Sequence, residues 1–380
     1  MEHHNSFPHT KQKKGIAIFT VVPPPYGGVS VHVERLMDMA CAEGIPYQVY
    51  DQLGKNIPER HVKSAGKSAW AGVKFLLTVS EPVIHCHNNS ISAIILSLLI
   101  LRMRRKLSIL TLHSEKPLRN YYNTNYFVRW LIRLSLGTAS HIFCVNENIE
   151  NWLLKSGIYC DRITMTPAFL RPTIGQVDES NLSQEIKEFI ASNSPIIGSH
   201  GWFGYFLNGI HVYSFDMIAD LASAIRNQFP NAGIYTLVSG TYDSQHREYI
   251  LKMRKDRGLE KNWLILEAPF HAVALYAKSD IFVRPTITDG DSISIRECLY
   301  LGVPVVASDA VVRPPGCILF RSRDTKSMIG NVIKMLNNIE EYRKNLKGQN
   351  VEDSSSEILH VYRESLVACM KKYHSNSVLP

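Results

Sequence analysis

The chain lacks an apolar run long enough to cross a bilayer, paired cysteines and any recognisable nucleic-acid-binding motif. Each absence removes a class of protein. A membrane-spanning helix needs about 20 apolar residues, whereas the longest candidate, residues 94–101, is short and interrupted by Ser97. The seven cysteines are odd in number, scattered and never spaced as C-x-x-C. A disulfide framework or a zinc site is therefore not expected, and a reducing cytoplasm is the simplest home. The opening residues, 1–14, are polar and rich in His and Lys without an apolar core; they read as a flexible tail rather than a secretory signal. A formal charge of +8 favours anionic partners such as nucleotide diphosphates or anionic lipid. Nucleic acid is set aside because no motif accompanies the charge.

What is present is ordinary globular material, 380 residues with 45% apolar and 20% charged side chains. That length suits two domains of about 150–200 residues. Short β-branched and aromatic runs at residues 15–22, 47–50, 83–87, 107–113 and 141–145 read as buried parallel strands. Helical spacing at 30–43, 69–77, 90–103, 126–136 and 148–156 alternates with them. The pattern loosens across 162–194, then resumes with strands at 195–198, 233–239, 263–267, 281–285 and 303–307. Helices are expected at 212–228, 243–257, 271–277, 292–301, 325–346 and 354–373. Such alternation implies two Rossmann-like, doubly wound parallel sheets facing a cleft. The expected organisation is a tail (1–14), an N-terminal Rossmann-like domain (15–190), a C-terminal Rossmann-like domain (191–350) and a C-terminal crossing helix with its tail (351–380).

The most informative stretch runs from Arg284 to Asp309. A strand ends, a loop containing Asp289-Gly290-Asp291 follows, and a helix begins at Ser292 and Ile293. The unpaired amides of a helix start, with its partial positive charge, suit phosphate. Asp289 and Glu297 bracket that start, and Arg284 and Arg296 are placed to offset their charge. Gly302 closes the helix before an apolar strand.

Asp289, seven residues, Glu297 and then Leu301-Gly302-Val303-Pro304-Val305-Val306-Ala307 resemble the Glu-x7-Glu motif and trailing run of retaining GT-B glycosyltransferases of family four. Gly27-Gly28-Val29 is similar to that family's N-terminal glycine loop. His87 and His113 are similar to its strand-end histidines, and Cys144-Val145-Asn146-Glu147 to its V-S-E segment. The resemblance implies a two-domain transferase moving a sugar from a nucleotide diphosphate to a glycan, lipid-linked or small acceptor, with retention at the anomeric carbon. It implies that Glu297 holds the ribose hydroxyls and Asp289 contacts the sugar. It also implies that amides from Gly290 through Asp291 and Ser292 to Ile293 meet sugar and phosphate, and that His113 lies beside the anomeric centre. The chain departs from the family twice. Asp289 stands where Glu is usual, and the basic K-G turn is replaced by a stretch containing His200, Gly201 and Trp202. Arg284 and Arg296, helped by His200, are expected to replace that diphosphate clamp, and Trp202 to lie on the cleft loop.

Three other readings compete. Asp289-Gly290-Asp291 is a D-x-D string of the kind that binds divalent metal in another transferase fold, but its place before a helix in the second half favours a metal-independent enzyme without cofactor. The missing clamp leaves room for a non-catalytic sugar-nucleotide-binding or scaffold subunit, or for a related enzyme such as a sugar-nucleotide epimerase. The basic cluster Arg102, Arg104, Arg105 and Lys106, with the aromatic helix at 126–136, reads either as core helix with a solvated basic end or as contact with anionic lipid at the inner face of the cell membrane.

Overall fold

The computed structural model describes residues 15–88, 90–239, 244–267 and 272–376. The tail at 1–14, Gly240 and the expected helix starts at Asp243 and His271 lie outside the described residues. The chain divides into two compact units. The first comprises Met1–Val21, Leu36–Thr166 and Ser354–Pro380; the second comprises Val22–Arg35 and Pro167–Asp353.

The first unit is built on seven parallel strands: β1 (Ile16–Thr20), β2 (Tyr47–Asp51), β3 (Val62–Ser64), β4 (Val83–Cys86), β5 (Leu107–Leu112), β6 (His141–Cys144) and β7 (Ile163–Met165). Their order across the sheet is β3-β2-β1-β4-β5-β6-β7, with Ile16 opposite Tyr47 on one side and Val83 on the other. Every residue of β1 and β4 is buried, which is why both read as continuous apolar runs rather than alternating ones. The helix Ser355–Asn376 belongs to this unit, as expected of the crossing helix. It buries Ile358, Leu359, Tyr362 and Leu366, and the Tyr362 hydroxyl lies 2.7 Å from Nδ1 of His85 on β4.

The second unit holds β8 (Ile196–Gly201), a small hairpin of β9 (Phe206–Leu207) and β10 (Ile210–His211), then β11 (Gly233–Val238), β12 (Trp263–Leu266), β13 (Ile281–Arg284), β14 (Val305–Ser308) and β15 (Cys317–Phe320). Its six-stranded parallel sheet runs β12-β11-β8-β13-β14-β15. Period-2 alternation sorts the core. Ile197, Ile234, Val283 and Val306 pack on one face, while Ile196, Tyr235, Phe282 and Val305 pack on the other. Close packing fixes one glycine in β8, because a Cβ on Gly198 would sit 2.4 Å from the Tyr235 hydroxyl.

Three expectations shift, the first being that Val22–Arg35, expected within the domain at 15–190, belongs to the second unit. The division between units falls at Thr166, not near residue 190, because Leu182 and Ile186 pack into the same core as Tyr235 and Phe282. The single helix expected at 325–346 is two, Thr325–Asn337 and Ile339–Leu346. Asn338 breaks it by turning its Nδ2 back to the Lys334 carbonyl at 2.9 Å. Among the described residues, no helix is long and apolar enough to cross a membrane.

Candidate functional site

Both sheets reverse winding direction once. In the second unit the reversal lies between β8 and β13, and in the first between β1 and β4. A crevice opens at the carboxyl ends of strands at such a point, and ligands of open α/β sheets bind there. The sequence candidates sit at these two places.

At the end of β13 Arg284 is buried, and it is bonded in three directions. Nε and Nη2 donate to the two Asp289 oxygens at 3.0 and 3.2 Å, and Nη1 donates to the His200 carbonyl at 3.0 Å. Its guanidinium also stacks over the Tyr213 ring, 5.1 Å from the centroid. Asp289 is gripped a second time by Arg313, whose Nη1 lies 3.0 Å away. Burial would raise the Asp289 pKa, but the two guanidiniums reverse that and hold it well below the usual carboxylate range. Arg313 also donates to the Ser308 carbonyl and to Thr286 Oγ1, at 3.0 and 2.8 Å. The sequence reading missed Arg313. Its only local signal is a basic residue before Pro314-Pro315 in the loop that follows β14.

Asp291 accepts from Arg296 Nε through both oxygens, at 2.7 and 2.8 Å, and from the Ala168 amide at 2.7 Å. Desolvation raises its pKa against the pull of Arg296. Glu297 is buried one turn into the helix Ile293–Tyr300 and forms an ion pair with Arg35 Nη2. Burial raises the Glu297 pKa, and Arg35 opposes the rise. Arg35 lies on the helix Gly28–Ala42, whose first part, through Arg35, belongs to this unit. It also donates to the Leu170 carbonyl at 2.8 Å and to Gln176 Oε1 at 3.0 Å. Thus Arg284 and Arg296, the expected substitutes for the clamp, are each engaged by a carboxylate of their own loop.

Ser292 occupies the N-cap position, yet its hydroxyl does not cap. It pairs with Ser294 Oγ at 3.1 Å, so the N-cap side chain leaves the first-turn amides uncapped. Gly290 lies in the loop between Asp289 and this helix start. Gly27 and Gly28 open the helix Gly28–Ala42, held by Ser30 Oγ, which accepts from the Gly27 amide at 3.0 Å. A Cβ at Gly27 would meet nothing within 4 Å, and one at Gly28 would meet only Ile293 Cδ1 at 3.7 Å. Neither glycine has a left-handed φ, so the packing of the chain itself does not demand them.

His200, on β8, is enclosed by the Tyr276 hydroxyl at 3.0 Å from Nδ1 and Ser239 Oγ at 2.9 Å from Nε2. Burial, assisted by Arg284, pushes its pKa down to about 3. It is neutral at physiological pH and brings no charge to an anion site. Trp202 follows β8 and is partly exposed, 5.9 Å from the Tyr205 ring at the base of the β9–β10 hairpin.

His113 belongs to the first unit, just beyond β5. Its Nε2 lies 2.9 Å from His87 Nδ1, with the rings nearly parallel, and His87 lies against His85 at 4.1 Å. His85 is engaged on both nitrogens, by Tyr362 and by Thr111 Oγ1, each at 2.7 Å. Of the three, His85 is thus a structural histidine.

Residues 201–338 match the family described as glycosyl transferases group 1. No curated protein matches the chain by sequence. Its fold is similar to that of Alr3699/HepE from Anabaena, solved with UDP: TM-score 0.69 and 13% identity, over 92% of this chain and 100% of that one. It is similar to sucrose-phosphate synthase from Thermosynechococcus elongatus, with TM-score 0.66 and 14% identity over 94% and 100% of the two chains. A glycosyltransferase from Rickettsia africae gives TM-score 0.66 and 13% identity over 93% and 99%. At such identities the likeness concerns the fold, which is GT-B.

Proposed function

We propose that this GT-B protein, a group 1 glycosyltransferase in its second unit, moves a sugar from a nucleotide diphosphate to a glycan or lipid-linked acceptor with retention at the anomeric carbon. The observation that carries the reading is the uncapped helix start of Ile293–Tyr300, directly after β13 at the reversal point of its sheet. The glycine pair Gly27-Gly28, which the protein's own packing does not require, supports close approach of a ligand to the backbone. A neighbour of the same fold has been solved with UDP-glucose.

In this reading the amides from Gly290 to Ile293 meet the phosphates, Glu297 holds the ribose hydroxyls, and Asp289 receives a sugar hydroxyl. Arg35 fixes the Glu297 carboxylate in place, as Arg284 fixes that of Asp289. Arg284 and Arg296 line the same loop, each paired with a carboxylate. Most of the rate then comes from fixed charge and amides aimed at the leaving group. His200 and Trp202 border the donor, while His113, in the first unit, orients the acceptor. The transfer is metal-independent, because both carboxylates of the D-x-D string are already satisfied by guanidiniums, which disfavours a divalent cation there.

The acceptor reading extends to a membrane surface at the cytoplasmic face. The helix Tyr126–Leu136 exposes Tyr126, Phe127, Trp130 and Leu134, and Tyr122 and Met103 are exposed as well. Arg104 and Lys106 are tied to carbonyls of residues 76–81, but Arg102 and Arg105 are exposed. Aromatic side chains beside free arginines suit an anionic interface.

The test is incubation with a panel of nucleotide sugars, following release of nucleotide diphosphate and the anomeric configuration of the product by NMR. Transfer with retention supports the proposal. Inversion removes the retaining part, and donor binding without turnover makes the chain a sugar-nucleotide-binding subunit instead.

A further inference from the structure

The charges gathered around the loop after β13 do not balance. Four guanidiniums (Arg35, Arg284, Arg296 and Arg313) face three carboxylates (Glu297, Asp289 and Asp291). Arg35 with Glu297 and Arg296 with Asp291 are one-to-one pairs, but Arg284 and Arg313 share Asp289. Among the described residues, the other titratable groups beside Arg284 add no negative charge. His200 is neutral, and burial holds the protons on the Tyr213 and Tyr276 hydroxyls. Among the described residues, one positive charge is left over where Arg284 is 6% and Arg313 9% exposed.

A buried charge without a counter-charge is costly, and nothing in the packing calls for it. Asp289 is already held through both oxygens by Arg284. The remaining bonds of Arg313 go to neutral groups: the Ser308 carbonyl, Ser308 Oγ and Thr286 Oγ1. A neutral side chain could make bonds of that kind. The charge is surplus to the fold, and it is attached to Asp289, three residues before the uncapped helix start.

We propose that Arg313 is the residue that recognises the donor's diphosphate, its surplus charge replacing the basic turn that is missing after β8. The site it completes takes a pyrophosphate-type anion. This inference rests on the donor reading above and deepens it by naming a specificity-determining residue. The bidentate grip of Arg284 orients Asp289 toward the sugar, while Arg313 balances the phosphate charge that arrives with it.

The experiment is calorimetric titration of the full chain with inorganic pyrophosphate, for the wild type and for Arg313→Met, Arg313→Lys and Asp289→Asn. Losing a charge-assisted contact should weaken Arg313→Met about ten- to hundredfold. Arg313→Lys should fall between it and the wild type. Asp289→Asn, which removes the counter-charge that Arg284 and Arg313 share, should bind as tightly as the wild type or more tightly. Equal weakening of Arg313→Met and Asp289→Asn would mean that Arg313 is a loop strap and would overturn the proposal. Unchanged binding by Arg313→Met would overturn it too, as would a wild type that ignores pyrophosphate. If Arg313→Met does not fold, as thermal unfolding will reveal, the opposite responses of Arg313→Lys and Asp289→Asn decide alone. Turnover of a nucleotide sugar that persists when this pattern is absent sinks only the role of Arg313. The pattern without turnover sinks only the transfer reading.

Discussion

The two sheets wind alike and finish differently. At the carboxyl ends of β4 and β5 the first unit gathers rings: His85, His87 and His113, joined by nitrogen-to-nitrogen and hydroxyl contacts. At the end of β13 and in the loop and helix beyond it, the second unit gathers full charges, three carboxylates each tied to at least one guanidinium. Imidazoles can accept or donate protons without a fixed sign. Guanidiniums cannot, and they hold geometry through paired donors. One end is therefore suited to orienting and exchanging protons and the other to holding anions. Substitutions that remove charge should accordingly be far more damaging in the second unit than substitutions of rings are in the first.

The sharpest test of this contrast is Arg35→Met. It strands buried Glu297 without its partner and should lower stability by about 3–5 kcal/mol, read from denaturant unfolding. Adding Glu297→Gln should recover part of the loss. If the single variant unfolds like the wild type, the ion pair does not organise this unit. Acid should act next in size and on the second unit too. His32 and His200 are held by burial at about 4 and about 3. Their folded-state values lie below the ordinary 6.5, so the stability they contribute is full above pH 6.5 and is lost as pH falls toward 4. Glu297 and Asp291 have raised values and work in the opposite sense. Subtraction isolates the histidines: near pH 5, unfolding of the wild type should take up about one proton more than unfolding of His200→Gln, roughly 1.4 kcal/mol per pH unit of slope. Equal uptake would show that His200 is charged when folded.

In the first unit, His85→Phe should cost about 1–2 kcal/mol, because it leaves the Tyr362 and Thr111 hydroxyls without a shared partner. A loss as large as that of Arg35→Met would erase the contrast. The smallest effect on stability belongs to Trp130→Ser, within about 0.5 kcal/mol for an exposed position. The same change should reduce co-sedimentation with anionic liposomes at low salt, and equal recovery with and without Trp130 removes the membrane surface from the proposal.

How much was legible follows from chain distance. Arg284, Asp289, Asp291, Arg296 and Glu297 lie within one strand-loop-helix unit, so motif spacing found them together. Their pairing was not legible, because Glu297 is matched by Arg35, 262 positions away, and Asp289 by Arg313, 24 positions on. The strands of both sheets could be read from apolar runs, except short ones such as β3, β7 and β15, which give little pattern to detect. His200 was found by position, but its neutrality depends on enclosure by Tyr276 and Ser239, which no local pattern encodes.

The attachment of Val22–Arg35 to the second unit bears on how this protein can be dissected or recombined. A fragment cut at Pro167 and Asp353 would contain every strand of the second sheet and the whole family-matching segment, yet it would lack Arg35 and leave the Glu297 carboxylate stranded. The second unit is thus not a cassette that two cuts can excise. Chimaeras with other proteins of this fold should keep their fold only when the segment around Arg35 travels with the residues after Thr166, or when Glu297 is replaced along with the junction.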